Sequence, residues 1–428
     1  MRLTWLQRLR LKGFIAGSLW FLPAVAMVLA VPAARLIYEI DLATRWPLLG
    51  FEPEGARAVA GTMTATMLTF IVFVFSFLML TVQFATAQLS PRVIAFAFRN
   101  RPVRVALSVF VVTLTLSLVT SSRIADWVPQ LMVFLTIVLG LVSVLLFLYV
   151  VDYFGRRLRP VVMAAYFGEQ GAHVIEQVFP LQLESMNAQL RPPRDDLPKQ
   201  DARTIRMRER SSVFLAFDAP GLGALATRAD AVIEIVPQVG DFVARGDSLF
   251  RVCESGGHFD DEALLRSVAF GTERTLEQDP LFAYRILVDI AEKALSFAIN
   301  DPTTAVLTID QLHILLRLTG WRRLSDGRVR DADGNVRLAY RTPEWKDFVT
   351  LAVTEIRLYG AGSPQVARRL RMMLEDLIES LPEVRRPVLQ QELEHLDAAV
   401  ERAFADPRDR DSARIADYQG IGSPRIEH

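Results

Sequence analysis

The sequence predicts an α-helical membrane bundle of four spans followed by a cytoplasmic α+β region, a small β module plus a helical domain. Three observations predict it. Four long apolar stretches crowd the first 155 residues, whereas the rest alternates short β-type runs with helical periodicity. The chain of 428 residues is 51% hydrophobic with a mean hydropathy of +0.25, yet 22% charged, which suits a membrane part joined to a soluble one. The net charge of zero hides two unlike halves, about +9 over residues 1–160 and about −9 beyond.

Crossing a hydrocarbon core of about 30 Å takes roughly 20 apolar residues. The stretches at about 14–38, 58–82, 103–121 and 128–151 meet that length or nearly so. A basic start, an apolar run and Ala33-Ala34 also fit a signal peptide, but the length of the run and Pro23 and Pro32 favour a retained, kinked span. The second stretch is the longest. No charge lies between Arg57 and Arg92, about 51 Å of helix, so its Gln83–Ser90 end is expected to project past the lipid tails before Pro91 stops it.

Orientation follows from Lys and Arg near the span ends. Arg2, Arg8, Arg10 and Lys12, then Arg92, Arg99, Arg101 and Arg104, then Arg156, Arg157 and Arg159 all fall on one side. On the other side, Arg45, Arg57 and Arg123 are offset by acids. Both termini are therefore expected in the cytoplasm of a multi-pass membrane protein.

Steps of four and three residues along the second span give Thr62, Thr66, Thr69, Phe73, Ser76, Leu80, Gln83, Ala87 and Ser90, a polar row on a helix otherwise made for lipid. Hydroxyls bond back to the carbonyl one turn earlier, so they are cheap in lipid, but such a row asks for a partner surface. Close packing is one answer, since Thr113, Ser117 and Thr120 of the third span and Thr136, Gly140 and Ser143 of the fourth offer matching rows. A shared path is the other: around a symmetric axis Thr62, Thr66, Thr69, Ser76 and Gln83 would line a pore, and their dipoles would replace part of an ion's hydration shell. Apart from Arg104 at the edge of the third, spans two, three and four contain no Asp, Glu, Lys, Arg or His, which argues against proton- or sodium-coupled transport and pumping. The reading is an oligomeric, channel-like protein; the alternative is a non-conducting scaffold or sensor. Its expected partners are the bilayer, further copies of itself and ions, with no nucleic acid.

Residues 1–155 are thus the membrane domain, and 156–211 a connector ending in the charged linker LRPPRDDLPKQDARTIRMRER. Residues 212–255 form the β module, 256–407 the helical domain and 408–428 a disordered tail. VPQVGDFVARGDSLFRV resembles the turn-and-strand pattern of biotinyl/lipoyl domains, but no lysine occurs between Lys199 and Lys293 to carry a cofactor, and none is expected. LFAYRILVDIAEKALSFAI (281–299) has helical spacing; Asp301 then caps a new helix with Pro302 in its first turn. Leu389, Leu393, Leu396, Val400 and Ala403 mark a later packed face.

Chemistry is sparse. HFDDE (258–262) reads as a helix cap rather than a metal site. DADGN (331–335) opens like a calcium loop but has Val336 where glycine is needed and Thr342 where the bidentate glutamate is needed, so it reads as a hairpin turn. The single cysteine, Cys253, precludes an internal disulfide, and there is no His-x-x-x-His pair, phosphate loop or nucleophile elbow. No enzymatic activity is expected.

TVQFATAQLSPRV (81–93) and AFGTERTLEQDPLFAYRILVDIAEKALSFAINDPTTAVLTIDQL (269–312) resemble a bacterial integral-membrane family, domain of unknown function 2254, over roughly residues 10–400. The resemblance implies several N-terminal spans of the inner membrane, then a cytoplasmic domain, and no activity. It marks Ser90, Pro91, Arg92, Asn300, Asp301 and Pro302, while Phe297 stands where proline is expected in relatives.

Overall fold

The computed structural model describes residues 18–45, 50–88, 101–157, 159–184, 202–208, 210–254 and 261–421, with a few positions before 18. The chain divides into two compact units, one of residues 9–159 and one built mainly of residues 160–428.

The first unit holds four helices, each long and apolar enough to cross a membrane: α1 (Phe21–Thr44), α2 (Pro53–Gln88), α3 (Arg101–Arg123) and α4 (Gln130–Arg157). α1 lies some six residues further along than hydropathy predicts. Pro23 falls in its first turn, Pro32 is carried inside, and Arg45 ends it in a left-handed conformation (φ 46°) with its N–H on the Asp41 carbonyl. α3 packs against each of the other three and is the most enclosed, with 56% of its apolar window buried against 17–28% for the others. Its buried Val103, Leu107 and Phe110 meet Met67 and Val74 of α2 and Val150 and Phe154 of α4. Phe70 stacks on Phe147 with ring centroids 4.3 Å apart.

In the second unit, the expected connector is largely structured. α5 (Pro160–Val178) packs on the helical domain through Phe167, Gly168, Gly171 and Ile175, positions whose small residues hide the apolar face from a hydropathy reading. A Cβ at Gly171 would lie 2.8 Å from Ala283 Cβ, so this crossing needs glycine. The end of the expected charged linker is a strand, β1 (Arg203–Arg206), because Ile205 fills the core while its neighbours face outward; residues 185–201 lie outside the described residues.

After β1 come β2 (Ser212–Phe217), α6 (Ala219–Arg228), β3 (Ala231–Ile235), β4 (Phe242–Val243) and β5 (Ser248–Glu254). α7 (Asp261–Leu265) and β6 (Val268–Gly271) follow, then α8 (Pro280–Leu295), α9 (Pro302–Gly320), β7 (Arg328–Arg330) and β8 (Val336–Tyr340). The chain closes with α10 (Trp345–Gly360), α11 (Pro364–Ser380), α12 (Arg386–Ala403) and α13 (Pro407–Ala413). One sheet has the order β1-β5-β3-β8-β7, the other β4-β2-β6. β3 and β8 run parallel, with Ile233 opposite Leu338 and Ile235 opposite Tyr340. The boundary expected at residue 255 is therefore not a boundary: β6, β7 and β8, from the helical stretch, complete the two sheets.

Two Gly-Asp turns shape the β3–β5 segment alike. Asp241 accepts the Gln238 N–H, and Asp247 the Ala244 N–H, each at 2.8 Å. DADGN is a hairpin turn, as read, with the Asp331 carboxylate accepting the N–H groups of Asp333 and Asn335. α8 ends at Leu295 rather than at 299, so Ala298 and Phe297 are exposed and only the positions up to Ala294 are core. On α12, Ala403 is exposed, and buried Glu392 stands on the packed face 3.6 Å from Arg357. The expected disordered tail is ordered as far as residue 421: Arg368 and Arg369 of α11 donate to the carbonyls of Ile415 and Asp417 at 3.1 and 2.8 Å.

Candidate functional site in the membrane unit

α2 carries two sets of hydroxyls, and the fold separates them. Thr64 faces inward, where its Oγ1 lies 2.9 Å from Ser117 Oγ of α3. Thr113 meets Ser143 at 3.2 Å and Thr120 meets Thr136 at 3.3 Å, so the rows of α3 and α4 do hydrogen-bond across their contact. Gly140 admits Met63, whose Sδ would be 2.6 Å from an added Cβ. The inward partner from α2 is thus Thr64 with Met63, and the row read from the sequence is not it.

That row lies on the opposite face. Thr62, Thr69, Ser76 and Gln83 are exposed and Thr66 is half-exposed. Packing of the row within one chain is therefore corrected: Ser117 of α3 is engaged by Thr64, and Thr113 and Thr120 by Ser143 and Thr136 of α4. Thr66, Thr69 and Ser76 each donate to the carbonyl four residues earlier, at 2.8, 2.9 and 3.0 Å. Such back-bonding satisfies the hydroxyl hydrogen while leaving its lone pairs free to accept. Gln83 has a full amide to satisfy. Ser90, Pro91 and Arg92 lie outside the described residues.

Two ionisable side chains that the sequence reading weighed only for orientation are buried in this unit. Asp41, wholly buried near the end of α1, accepts the N–H groups of Leu131 and Met132 at 2.9 and 3.2 Å. A carboxylate at a helix N-terminus offsets the partial positive charge there, so Asp41 ties α1 to the start of α4. An acid three residues from the end of an apolar helix was the available signal. Arg104, read only as one of the basic residues that set orientation, is 8% exposed in the first turn of α3 and donates to the Ile15 carbonyl at 2.6 Å.

The Asn300-Asp301-Pro302 junction belongs to the other unit. Asn300 is left-handed (φ 49°), and the Asp301 N–H bonds the Ala294 carbonyl at 2.8 Å, closing α8. The Asp301 carboxylate accepts the Thr304 N–H at 3.1 Å and the Thr304 hydroxyl at 2.5 Å, opening α9 with Pro302 at its first position.

Elsewhere in that unit a cavity of about 330 Å³ is lined by Phe217, Gln238, Gln278, Asp279, Tyr340 and Arg341, among others. Its buried polar groups are committed. Gln278 exchanges both amide hydrogen bonds with the Phe217 backbone, and Asp279 accepts from Arg274 at 2.9 Å and from the Phe282 N–H at 3.1 Å. Burial pushes the Asp279 carboxyl above its ordinary 3.8 despite the arginine. His313 bonds Asp376 at 2.7 Å, and burial holds the imidazole below its ordinary 6.5. Arg385, pulled down to about 10 by burial, donates to the Gly320 and Arg322 carbonyls that end α9. Among the described residues no group of three or more His, Cys, Asp or Glu is placed to hold a metal.

The family model described as "Predicted membrane protein (DUF2254)" matches residues 16–376. An uncharacterized protein of Mycobacterium tuberculosis (strain H37Rv) is 28% identical over 421 residues, covering 94% of this chain and 80% of its own length. An uncharacterized protein of Mycobacterium bovis matches with the same identity and coverage. No solved structure matches.

Proposed function

We propose that this chain, which belongs to the predicted-membrane-protein family of domain of unknown function 2254, is an oligomeric, channel-like protein whose copies meet along the outward row of α2. One observation carries the reading. Thr62, Thr69, Ser76 and Gln83 are exposed on a single chain, whereas Thr64, Thr113, Ser117, Thr120, Thr136 and Ser143 pair between helices. Apolar residues would face lipid at no cost, whereas an amide and a file of hydroxyl lone pairs favour water or a neighbouring copy. Around a shared axis, those lone pairs point at the path and coordinate a partly dehydrated ion.

The basic span ends support an inner-membrane placement with both termini and the second unit in the cytoplasm, where that unit regulates or assembles the spans. Back-bonding supports a second reading. Because Thr66, Thr69 and Ser76 already donate their hydroxyl hydrogen bonds to their own helix, a dry contact between copies satisfies them, and the protein is then a non-conducting scaffold.

Full-length protein reconstituted in planar bilayers separates the two. The channel reading expects a current that falls or changes selectivity in the Thr69→Leu, Ser76→Leu double variant. No current, or one indifferent to both changes, removes the pore. The scaffold reading expects the double variant to weaken detergent-resistant assembly instead.

A further inference from the structure

Arg104 carries a charge that its own unit does not balance. Its side chain is nine-tenths buried, and beyond the bond to Ile15 its Nε has no hydrogen-bond partner. No carboxylate pairs with it among the described residues. The sequence makes this unavoidable: no Asp or Glu precedes Glu39, and none occurs between Glu54 and Asp126. Glu39, Asp41, Glu52, Glu54 and Asp126 sit at the far ends of their helices from Arg104, about 30 Å away in a spanning bundle. The one acid of the unit at the Arg104 end, Asp152 of α4, is bound by Arg156.

Its position on α3 sharpens the imbalance. The first N–H groups of a helix have no carbonyl partner within it and carry a partial positive charge, so a cation in the first turn is disfavoured. Arg101, three residues earlier on the same face, adds a second guanidinium, here exposed. A buried unpaired charge is strongly disfavoured unless a counter-ion joins it. Two guanidiniums and a helix N-terminus together match an oxyanion with several acceptor oxygens, and the planar Nε–Nη edge of arginine suits phosphate. The end of a membrane-crossing helix also lies at the level of lipid phosphates.

We propose that Arg104, with the α3 N-terminus and Arg101, binds a phosphate group, that of an anionic membrane lipid. A lipid held there would fasten the segment at Ile15 to the start of α3 through one guanidinium, and this does not depend on whether the protein conducts.

Native mass spectrometry of the full-length protein, offered phosphatidylglycerol and phosphatidylcholine in equal amounts, tests the site. The parent is expected to retain phosphatidylglycerol preferentially, and Arg104→Leu to lose about tenfold in apparent affinity, the scale of one charge-assisted hydrogen bond. Arg104→Lys, which keeps the charge but not the fork, should fall between, and Arg123→Gln, at the opposite end of α3, should match the parent. Equal retention by the parent and Arg104→Leu overturns the proposal, as does an equal loss in Arg123→Gln. Displacement of the lipid by millimolar inorganic phosphate keeps the phosphate chemistry but rejects the lipid as its source. Should Arg104→Leu not purify folded, the Arg104→Lys comparison decides by the same criteria.

Discussion

Replacing Asp301 with alanine removes two hydrogen bonds at the junction of α8 and α9 and leaves the backbone bonds in place. The carboxylate now receives the Thr304 N–H at 3.1 Å and the Thr304 hydroxyl at 2.5 Å. Loss of an N-cap costs typically about 1 kcal/mol. The buried Thr304 hydroxyl, 7% exposed, adds up to about 1 kcal/mol if it finds no new acceptor. The sum, about 2 kcal/mol, corresponds to a fall in melting temperature of about 4–8 °C for a unit of some 250 residues. Asp301→Asn keeps an acceptor for the N–H and should fall by less than half as much. Scanning fluorimetry of the full-length protein in detergent reads both, since Trp321 and Trp345 lie in the same unit. Equal stability of Asp301→Ala and the parent would refute the capping argument. So would an Asp301→Asn variant as unstable as the alanine one, because that would assign the effect to charge.

Two further outcomes follow from single contacts. Burial disfavours the charged form of His313, which faces Asp376, Arg317 and Arg369, so it charges at a lower pH in the fold than the ordinary 6.5 of an unfolded histidine. Its contribution is therefore intact above that pH and lost as pH falls through the lower folded value, so melting curves at pH 7.5 and 5.5 should differ less for His313→Gln than for the parent; parallel shifts would refute this. Gly327 has φ 68°, and a Cβ there would lie 2.1 Å from the Tyr340 carbonyl oxygen, whereas Gly334 (φ 86°) opens onto free space. Gly334→Ala should cost about 1 kcal/mol for the left-handed conformation alone, and Gly327→Ala distinctly more, which ranking by thermal denaturation checks.

The four spans were legible because each burial demand is local: a run of apolar residues reports itself. The helical spacing of 281–299 was legible for the same reason, and Phe282, Ile286, Ile290 and Ala294 are all buried. What sequence reading missed depends on partners far along the chain. β1 contributes one core residue, Ile205, too few to set a period. α5 packs through Gly168 and Gly171, which score as neutral though they allow the closest approach. The segment after α12 is held by its own carbonyls, which every residue possesses and no pattern advertises. The direction of the α2 row could not be read either, since a helical stripe names a face but not what that face meets.

The parallel pairing of β3 with β8 sets a timetable for synthesis. Ile235 leaves the ribosome about a hundred residues before Val336, the start of the strand that must lie beside it. At about 5–20 residues per second that interval lasts roughly 5–20 s, during which an apolar strand has one edge without its final neighbour. The nascent chain is therefore most exposed to mispairing after its membrane segments have emerged, and a stop anywhere before Tyr340 yields a fragment whose larger sheet cannot close.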